Sequence, residues 1–200
     1  MTGILGDAPL AAVAFGVPQF VPQLLRLRAT QDTAGISWSW AALTTVSNAA
    51  WTGYFALSGY WLALVPSCSV SLLAGALTAA LSRRGQASGR AMALAGGWAA
   101  VLAAVGAASG RAGLGTLLAA AFAVQVAPSL WAAYRTPRPT GISAGTWALI
   151  LGELACFLAY GLHQSDPRLT ALGATGITAS VLMLARVGWV RACPRQRLEN

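Results

Sequence analysis

The chain has 200 residues, of which 56% are hydrophobic and only 9% are charged. A soluble domain carries about 25% charged residues, so this chain cannot cover a water-facing surface, and we expect an all-α integral membrane protein. The net charge of +8 results from 13 Arg and 5 acidic residues; because the Arg fall at the ends of apolar stretches, their placement indicates membrane topology, and nucleic acid is not expected as a partner.

Apolar stretches of about 20 residues predict membrane-spanning helices. In chain order they are Pro9–Leu25, Ser39–Leu57, Trp61–Leu81, Met92–Ala108, Leu114–Tyr134, Thr146–Leu162 and Leu169–Val187. The fourth is rich in Ala and Gly and matches nothing elsewhere in the chain. We therefore predict seven transmembrane helices as 3+1+3, in which two three-helix bundles (9–82 and 114–187) are joined by a linker helix (91–109) and followed by a short basic tail (188–200).

One segment occurs twice, 106 positions apart. A repeat of this kind in a hydrophobic chain indicates a transporter built from two units around a central site. Because three helices and a linker separate the copies, both enter the membrane in the same orientation, as parallel repeats. The recurring residues are Gln19, Pro22, Leu24, Gly35, Ile36, Ser37 and Tyr54, which return as Gln125, Pro128, Leu130, Gly141, Ile142, Ser143 and Tyr160.

The placement of the Arg residues predicts the orientation in the membrane. In a seven-helix topology only Arg111 and Arg168 fall on one side, and the other eleven fall on the opposite side. Positive residues stay cytoplasmic. We therefore expect a protein of the plasma membrane whose N-terminus, with Asp7, is outside and whose C-terminus is cytoplasmic.

The repeated segment has a definite form. Pro22-Gln23 is followed by eleven residues and then by Gly35-Ile36-Ser37, and the second copy has Pro128-Ser129 at the same distance from Gly141-Ile142-Ser143. This pattern resembles the PQ-loop repeat of the SWEET, SemiSWEET and cystinosin-like transporters, and the resemblance covers both three-helix units. It implies a transporter that moves a small polar solute, a sugar first of all, by alternating access. A proton-coupled amino-acid transporter of the cystinosin-like kind is the alternative.

The prolines of the motif are candidate hinges. Pro22 and Pro128 fall in the last turns of the first and fifth predicted helices, where a proline removes a backbone hydrogen bond and kinks the helix. The freed carbonyl needs a partner inside a membrane, for which Gln23 or Ser129 is a candidate. Such a kink can act as a hinge near the cytoplasmic mouth, or it can be static, since prolines are common in membrane helices.

The other motif residues have structural roles. Gly35 and Gly141 are expected to supply turn geometry before the second and sixth helices. Ser37 and Ser143 are expected to cap those helices.

The second and sixth helices carry a matching stripe, in which a polar residue, a large aromatic residue and a tyrosine share one helix face at spacing i, i+4, i+7. Aromatic walls with polar groups between them suit a substrate cavity. Packing or interfacial anchoring is the alternative, above all for Tyr54 and Tyr160. The binding candidates on these helices are Ser47, Asn48, Trp51, Glu153 and Phe157.

The third and seventh helices offer Ser67, Ser69 and Thr175 as further binding candidates, although such hydroxyls also bond between membrane helices. The sugar-transporting SWEET pattern has a pair of asparagines here. The corresponding positions in this chain are Ser67 and Gly173. The proline pairs that begin the second and sixth helices in that pattern are also missing. The departure weakens the sugar assignment and leaves the fold assignment intact.

Glu153 is the one acidic residue deep in a predicted span. Ionisable residues inside a membrane are functional by default. Burial of an unpaired carboxyl favours its protonated form, which suits coupling to protons or binding of a cationic group. A carboxyl that merely bonds to a neighbouring helix is the alternative.

Other classes of protein fit less well. The chain has no HExxH motif, no nucleophile elbow and a single His, so no enzyme is expected, and without Lys it cannot form the Schiff base of a retinal protein. Cys68, Cys156 and Cys193 have no metal spacing, and no cofactor is expected. A sorting receptor of the same fold is the alternative to a transporter. Basic residues inside the cavity would favour the receptor. The expected partners are a small-molecule substrate, the lipid bilayer and protons, with a homo-oligomer left open.

The first prediction concerns topology. Cysteine placed at Thr33 or Pro139, in the two repeated loops, should react only with a reagent that crosses the membrane, because the loops carry Arg and so face the cytoplasm. Labelling of intact cells with an impermeant reagent measures this. Labelling from outside would overturn the orientation.

Overall fold

The computed structural model describes residues 8–192, within which all regular structure is α-helical. This confirms the all-α class. The predictions for Asp7 and Cys193 lie outside the described residues, as does the tail beyond residue 192, whereas 188–192 continue the last helix. The helices are α1 (Ala8–Gly16), α2 (Val21–Thr30), α3 (Trp38–Ser58), α4 (Trp61–Ser82), α5 (Gly89–Arg135), α6 (Ala144–Gln164) and α7 (Pro167–Ala192).

Five helical stretches are long and apolar enough to cross a membrane, which supports an integral membrane protein. They are Ala8–Thr30, Trp61–Ser82, Gly89–Arg135, Ala144–Gln164 and Pro167–Val190. Helix α3 is not among them, because Thr44, Thr45, Ser47, Asn48 and Thr52 make its middle more polar than that of the other helices.

The longest helix, α5, reverses direction at Gly110, whose backbone is non-helical at φ 58° and ψ −155°. Trp98 Nε1 donates to Ser47 Oγ and Gln125 Nε2 donates to Thr44 Oγ1. A straight helix would hold Trp98 and Gln125 about 40 Å apart, yet their partners lie one turn apart on α3. The segments 89–109 and 111–135 therefore run in opposite directions, and each is long enough to cross a membrane.

The first and second helices are separated by a turn at Val17–Phe20. Pro22 consequently stands in the first turn of α2, where a proline is well tolerated, and not in the last turn of one continuous helix. The Pro18 carbonyl, which Pro22 cannot bond, accepts from the N–H of Val21 at 2.9 Å. The expectation that Gln23 would satisfy this carbonyl is therefore wrong.

The expected caps are present. Ser37 accepts from the N–H of Trp40, and Ser143 accepts from the N–H of Thr146, so each begins its helix. Gly35 has φ 82°, as its turn role requires.

Gly141 is needed for a different reason from the one expected, since it is not among the glycines with positive φ. A Cβ at this position would lie 2.8 Å from both the N and the O atoms of Ala34. Gly141 thus allows the two repeated loops to touch.

The helices pack in the same order in both copies. Helix α4 packs against α1 and α3, and α7 packs against α6 and the 111–135 half of α5. Across the copies, α1 packs against α6 and α5 packs against α3. Six helical segments thus surround a common centre.

An arginine in the turn after α4 caps the end of α2, and an arginine of α7 caps the equivalent end of α5. Arg84 donates to the carbonyls of Leu27 at 3.4 Å and Gln31 at 3.1 Å, and Arg186 donates to the carbonyl of Ala133 at 3.2 Å. Leu27 and Ala133 are mates in the repeat. The Leu27 carbonyl already accepts from the N–H of Gln31 at 3.1 Å, so Arg84 adds a second bond there, whereas the Gln31 and Ala133 carbonyls receive their bonds from the guanidinium groups.

We predict that Arg84→Gln and Arg186→Gln each lower the free energy of unfolding by about 1–3 kcal/mol, the range for hydrogen bonds to charged groups. Thermal unfolding of the purified protein in detergent measures this. Arg90→Gln is the control, because Arg90 is exposed near the start of α5. Equal stability of all three variants would contradict the capping role.

Candidate functional site

A cavity lies where the two copies meet, between the Val17–Phe20 turn, helices α3, α4, α6 and α7, and the second half of α5. The space that water-sized molecules can reach inside it measures about 60 Å³. One water molecule needs about 10–15 Å³, so the cavity holds several waters and no bulky solute in this conformation.

Two glutamines cross from one copy to the other at the level of the cavity. Gln19 Nε2 donates to Glu153 Oε2 at 2.8 Å, and Gln125 Nε2 donates to Thr44 Oγ1 at 3.2 Å. Gln19 and Gln125 are repeat mates, and both are buried. They form a polar layer in an apolar interior, where each amide has to find its partner within the protein.

Glu153 is 6% exposed. The sequence suggested an unpaired carboxyl, but Gln19 donates a hydrogen bond to it. Its second oxygen, Oε1, lies against Gly16 on α1. A Cβ at Gly16 would lie 2.5 Å from Pro66 Cβ and still closer to Glu153 Oε1. The missing side chain of Gly16 therefore makes room for the carboxyl.

Two aromatic clusters bound the polar layer along the helix axes. On the side of the repeated loops, Trp40 stacks between Phe20 and Trp147, with ring centroids 5.3 Å apart in both pairs. Trp40 and Trp147 lie near the first turns of α3 and α6, so this cluster is the cavity's loop-side end.

On the opposite side, Phe55 stacks between Trp51 and Phe157, with centroids 5.4 Å and 5.7 Å apart. Trp51 is eleven residues along α3 from Trp40, which is about 16 Å of helix. The cavity is thus a polar centre between two aromatic ends. Trp51 and Phe157, both predicted as binding residues, line it together.

The structure brings five of the eight predicted binding residues to the cavity and leaves three outside. Ser47 accepts a hydrogen bond from Trp98 of the linker segment at 3.0 Å. Ser69 donates to the carbonyl of Val17 at 2.8 Å and so supports the turn between α1 and α2. The residues inside are Asn48, Trp51, Ser67, Glu153 and Phe157.

Thr175 also lies outside the lining, and the reason is helical register. At this level of α4 and α7, the cavity is lined by Val70 and Gly176, and each follows the predicted residue, Ser69 or Thr175, by one position. One residue turns an α-helix by about 100°. The predicted hydroxyl pair therefore points away from the cavity.

Four polar lining residues were not predicted: Gln19, Thr44, Gln125 and Ser180. The recurrence of Gln19 as Gln125 was a usable signal, because two buried amides at equivalent positions need partners. Ser180 had none, since its mate in the first copy is Ala74. Its hydroxyl is fully buried and has no hydrogen-bond partner within residues 8–192.

At the end away from the repeated loops, a hydrogen bond joins the two copies. Tyr54 Oη donates to Asp166 Oδ2 at 2.9 Å, and the backbone N–H of Arg168 donates to Asp166 Oδ1 at 2.9 Å. Tyr54 is 2% exposed. Beyond this bond lies a wider polar recess of about 330 Å³, lined by Arg111 and Arg168 among others.

At the other end, the two repeated loops are bonded to each other. The N–H of Gly141 donates to the carbonyl of Ala34 at 3.0 Å. Gln23 Nε2 donates to the carbonyl of Gly141 at 2.9 Å, and Gln23 Oε1 accepts from the N–H of Ser143 at 2.8 Å. Gln23, a hinge candidate, therefore ties α2 to the loop of the other copy.

Asp32 and Thr140 add to this loop contact, since Thr140 Oγ1 donates to Asp32 Oδ2 at 2.6 Å and Arg26 Nε donates to the Thr140 carbonyl at 2.8 Å. The bond from Thr140, followed by the bond from the N–H of Ala34, holds the pKa of Asp32 below its ordinary value of 3.8. The charge of Arg26 acts in the same direction. The ionised carboxyl thus stabilises the joined loops.

The sequence matches no protein-family model and no curated protein.

Asp32 predicts how stability depends on pH. Because its folded-state pKa is depressed, its contribution is complete above the unfolded-state value of 3.8 and is lost as pH falls through the lower folded-state value. We expect wild-type protein to unfold at a higher temperature than Asp32→Asn at neutral pH, and the gap to close on acidification below about pH 4.

Thermal unfolding of both proteins across this pH range measures the gap. In a Thr140→Val background, the Asp32→Asn change should lower the unfolding temperature by less than it does in the wild type, because the strongest bond to the carboxyl is already gone. A gap that does not change with pH would contradict the role of the charge.

Proposed function

We propose that this protein is a membrane transporter of the PQ-loop kind, and not an enzyme, that moves a small polar solute by alternating access between two three-helix bundles. One observation carries the proposal. The cavity is lined by both copies, and contacts that cross from one copy to the other lie at each of its ends. Relative motion of the copies can therefore open either end.

The 3+1+3 arrangement is part of this proposal. The reversal at Gly110 supports counting α5 as two crossings, and α1 with α2 forms one. Helix α3 completes seven, with its polar middle turned to the cavity and the linker segment. The shared packing order, in which the third helix lies between the first and the second, supports two equivalent bundles.

Each end has a definite closing contact. Opening toward the side that we assign to the exterior requires loss of the Tyr54–Asp166 bond and separation of Phe55 from Phe157. Opening toward the cytoplasm requires the repeated loops to part and the Phe20–Trp40–Trp147 stack to open. The solute in transit occupies the polar layer between them.

The bending positions in this proposal are the Val17–Phe20 turn, directly before Pro22, and Pro128. Pro128 lies inside the second half of α5, where it removes a backbone hydrogen bond. Gln23 couples motion of α2 to the other copy through its two bonds. The two copies therefore bend at equivalent levels by different local means.

The solute is a sugar or an amino acid on the resemblance alone. Aromatic walls with hydroxyl and amide groups between them suit a sugar, whereas Glu153 suits a proton-coupled substrate. The sorting-receptor alternative is less well supported, because the residues lining the cavity include no Arg, Lys or His to bind a carboxylate.

The test is uptake into proteoliposomes of a panel of sugars and amino acids, with and without an inward proton gradient. We expect gradient-driven uptake that Glu153→Gln abolishes, because Gln keeps the shape and the bond to Gln19 but cannot release a proton. Exchange of substrate at equal concentrations should survive in part, since it needs no net proton movement.

Arg90→Gln serves as the matched control for reconstitution. Failure of every solute to accumulate or exchange would remove the transporter proposal. Unchanged pH dependence in the Gln variant would remove the coupling role of Glu153 and leave transport itself standing.

A further inference from the structure

We infer that the central cavity selects a small organic cation, a protonated amine with a short apolar body, in preference to a neutral sugar or a carboxylate. The inference rests on the proposed function and names the substrate class of that same cavity. It follows from which hydrogen-bonding groups of the lining are already used within the protein and which remain.

Two amides of the lining each give one of their two N–H groups to an acceptor of the protein. Asn48 Nδ2 donates to the backbone carbonyl of Thr44 at 3.0 Å, and a carbonyl can only accept, so the amide orientation is fixed. Gln19 Nε2 donates to the carboxyl of Glu153 at 2.8 Å. Each amide is left with its side-chain oxygen as an acceptor and its second N–H as a donor.

Glu153 adds a further acceptor. Oε2 accepts from Gln19, and within residues 8–192 no protein donor bonds to Oε1. This oxygen is not among the fully buried atoms without a partner, so water or a ligand in the cavity can reach it. A ligand with several N–H donors and a positive charge would satisfy it and the neighbouring amide oxygens together.

Ser180 points to a ligand independently of the carboxyl. Ser180 lines the cavity, and its Oγ has no hydrogen-bond partner in the described part of the chain; this atom is closed to water in the present conformation, so a ligand reaches it only after the side chain turns. A buried hydroxyl without a partner is costly, so the site has unused capacity for a polar group. Because a hydroxyl can accept, Ser180 also fits an ammonium donor.

The charges of the lining exclude a ligand that carries a carboxylate. Glu153 is the single charged residue among the residues that line the cavity, whereas Arg111 and Arg168 line the separate recess beyond Tyr54. A ligand carboxylate would have no counter-charge in the cavity and would lie close to the Glu153 carboxylate. A neutral sugar would bring no positive charge to pair with the Glu153 carboxyl.

The aromatic ends suit the same ligand. Trp40 and Trp147 lie at one end, and Trp51 and Phe157 lie at the other. A cation near the face of such rings is stabilised electrostatically, and the rings cover the apolar body of a short amine. The space of about 60 Å³ limits the body to a few heavy atoms in this conformation.

The experiment measures binding and is independent of transport. The purified full-length protein in lipid nanodiscs is titrated with n-propylammonium, with the neutral isostere 1-propanol, with propionate and with glucose. Titration calorimetry gives Kd, and the change in the intrinsic fluorescence of the eight Trp, of which Trp40, Trp51 and Trp147 line the cavity, supports it as a second signal. We expect propylammonium to bind about tenfold or more tightly than each other probe, since a charged hydrogen bond discriminates by that much.

Two variants locate the site. Glu153→Gln should weaken propylammonium binding by about tenfold or more and leave the affinity for 1-propanol unchanged. Ser180→Ala should weaken amine binding by a smaller factor. Thr178→Val is the control, because Thr178 is exposed on α7 and bonds to its own helix at Ala174. Circular dichroism establishes that each variant is folded.

The outcomes separate this inference from the proposed function. Equal or tighter binding of glucose, or amine binding that Glu153→Gln does not weaken, would overturn the inference even if sugar transport is observed. Amine binding that depends on Glu153, without uptake of any solute, would support the inference and remove the transporter. If the Gln variant does not fold, the wild-type preference among the four probes still decides.

Discussion

The hydrogen bond between Gln19 and Glu153 is the contact on which the centre of the molecule depends. It joins the turn of the first copy to the sixth helix, and it satisfies two polar groups that lipid could not. The missing Cβ of Gly16 makes room for the carboxyl, and Ser69 supports the turn that presents the glutamine. The break in the first helix, the glycine before it and the buried acid are therefore parts of one arrangement.

The two ends of the cavity are closed by different chemistry. A tyrosine and an aspartate meet at one end, whereas backbone groups of two loops meet at the other. The first closure depends on one side-chain bond with aromatic packing beneath it. The second spreads over several weaker contacts, with the charge of Asp32 at its edge. Opening the two ends therefore requires different interactions to be broken.

Local sequence rules predicted much of the fold. Apolar length located α4 and α6 to within two residues at each end but did not reveal the turn at Val17–Phe20 inside the first predicted helix. Ser37 and Ser143 were identified as caps because capping depends on chemistry within one turn. The offset of 106 residues also carried information about the site, since it paired Gln19 with Gln125. These features depend on neighbours along the chain or on the repeat itself.

What the sequence could not predict depends on contacts between distant segments. Arg84 and Arg186 cap equivalent carbonyls but are 102 positions apart, one helical turn short of the repeat offset, so comparison of the copies does not pair them. Ser47 matched Glu153 by offset, yet the linker segment supplies Trp98 to cover it. Thr175 was predicted to line the cavity, but the next residue, Gly176, lines it instead.

The cover that Trp98 provides over Ser47 has a consequence for how such a molecule can arise. In an assembly of two identical units, the position of Ser47 would hold a second carboxyl, and no linker segment would supply Trp98 to cover it. Joining the units in one chain frees the second position to hold a hydroxyl. A single acidic residue then serves the whole cavity, a chemistry that an assembly of identical subunits is unable to have.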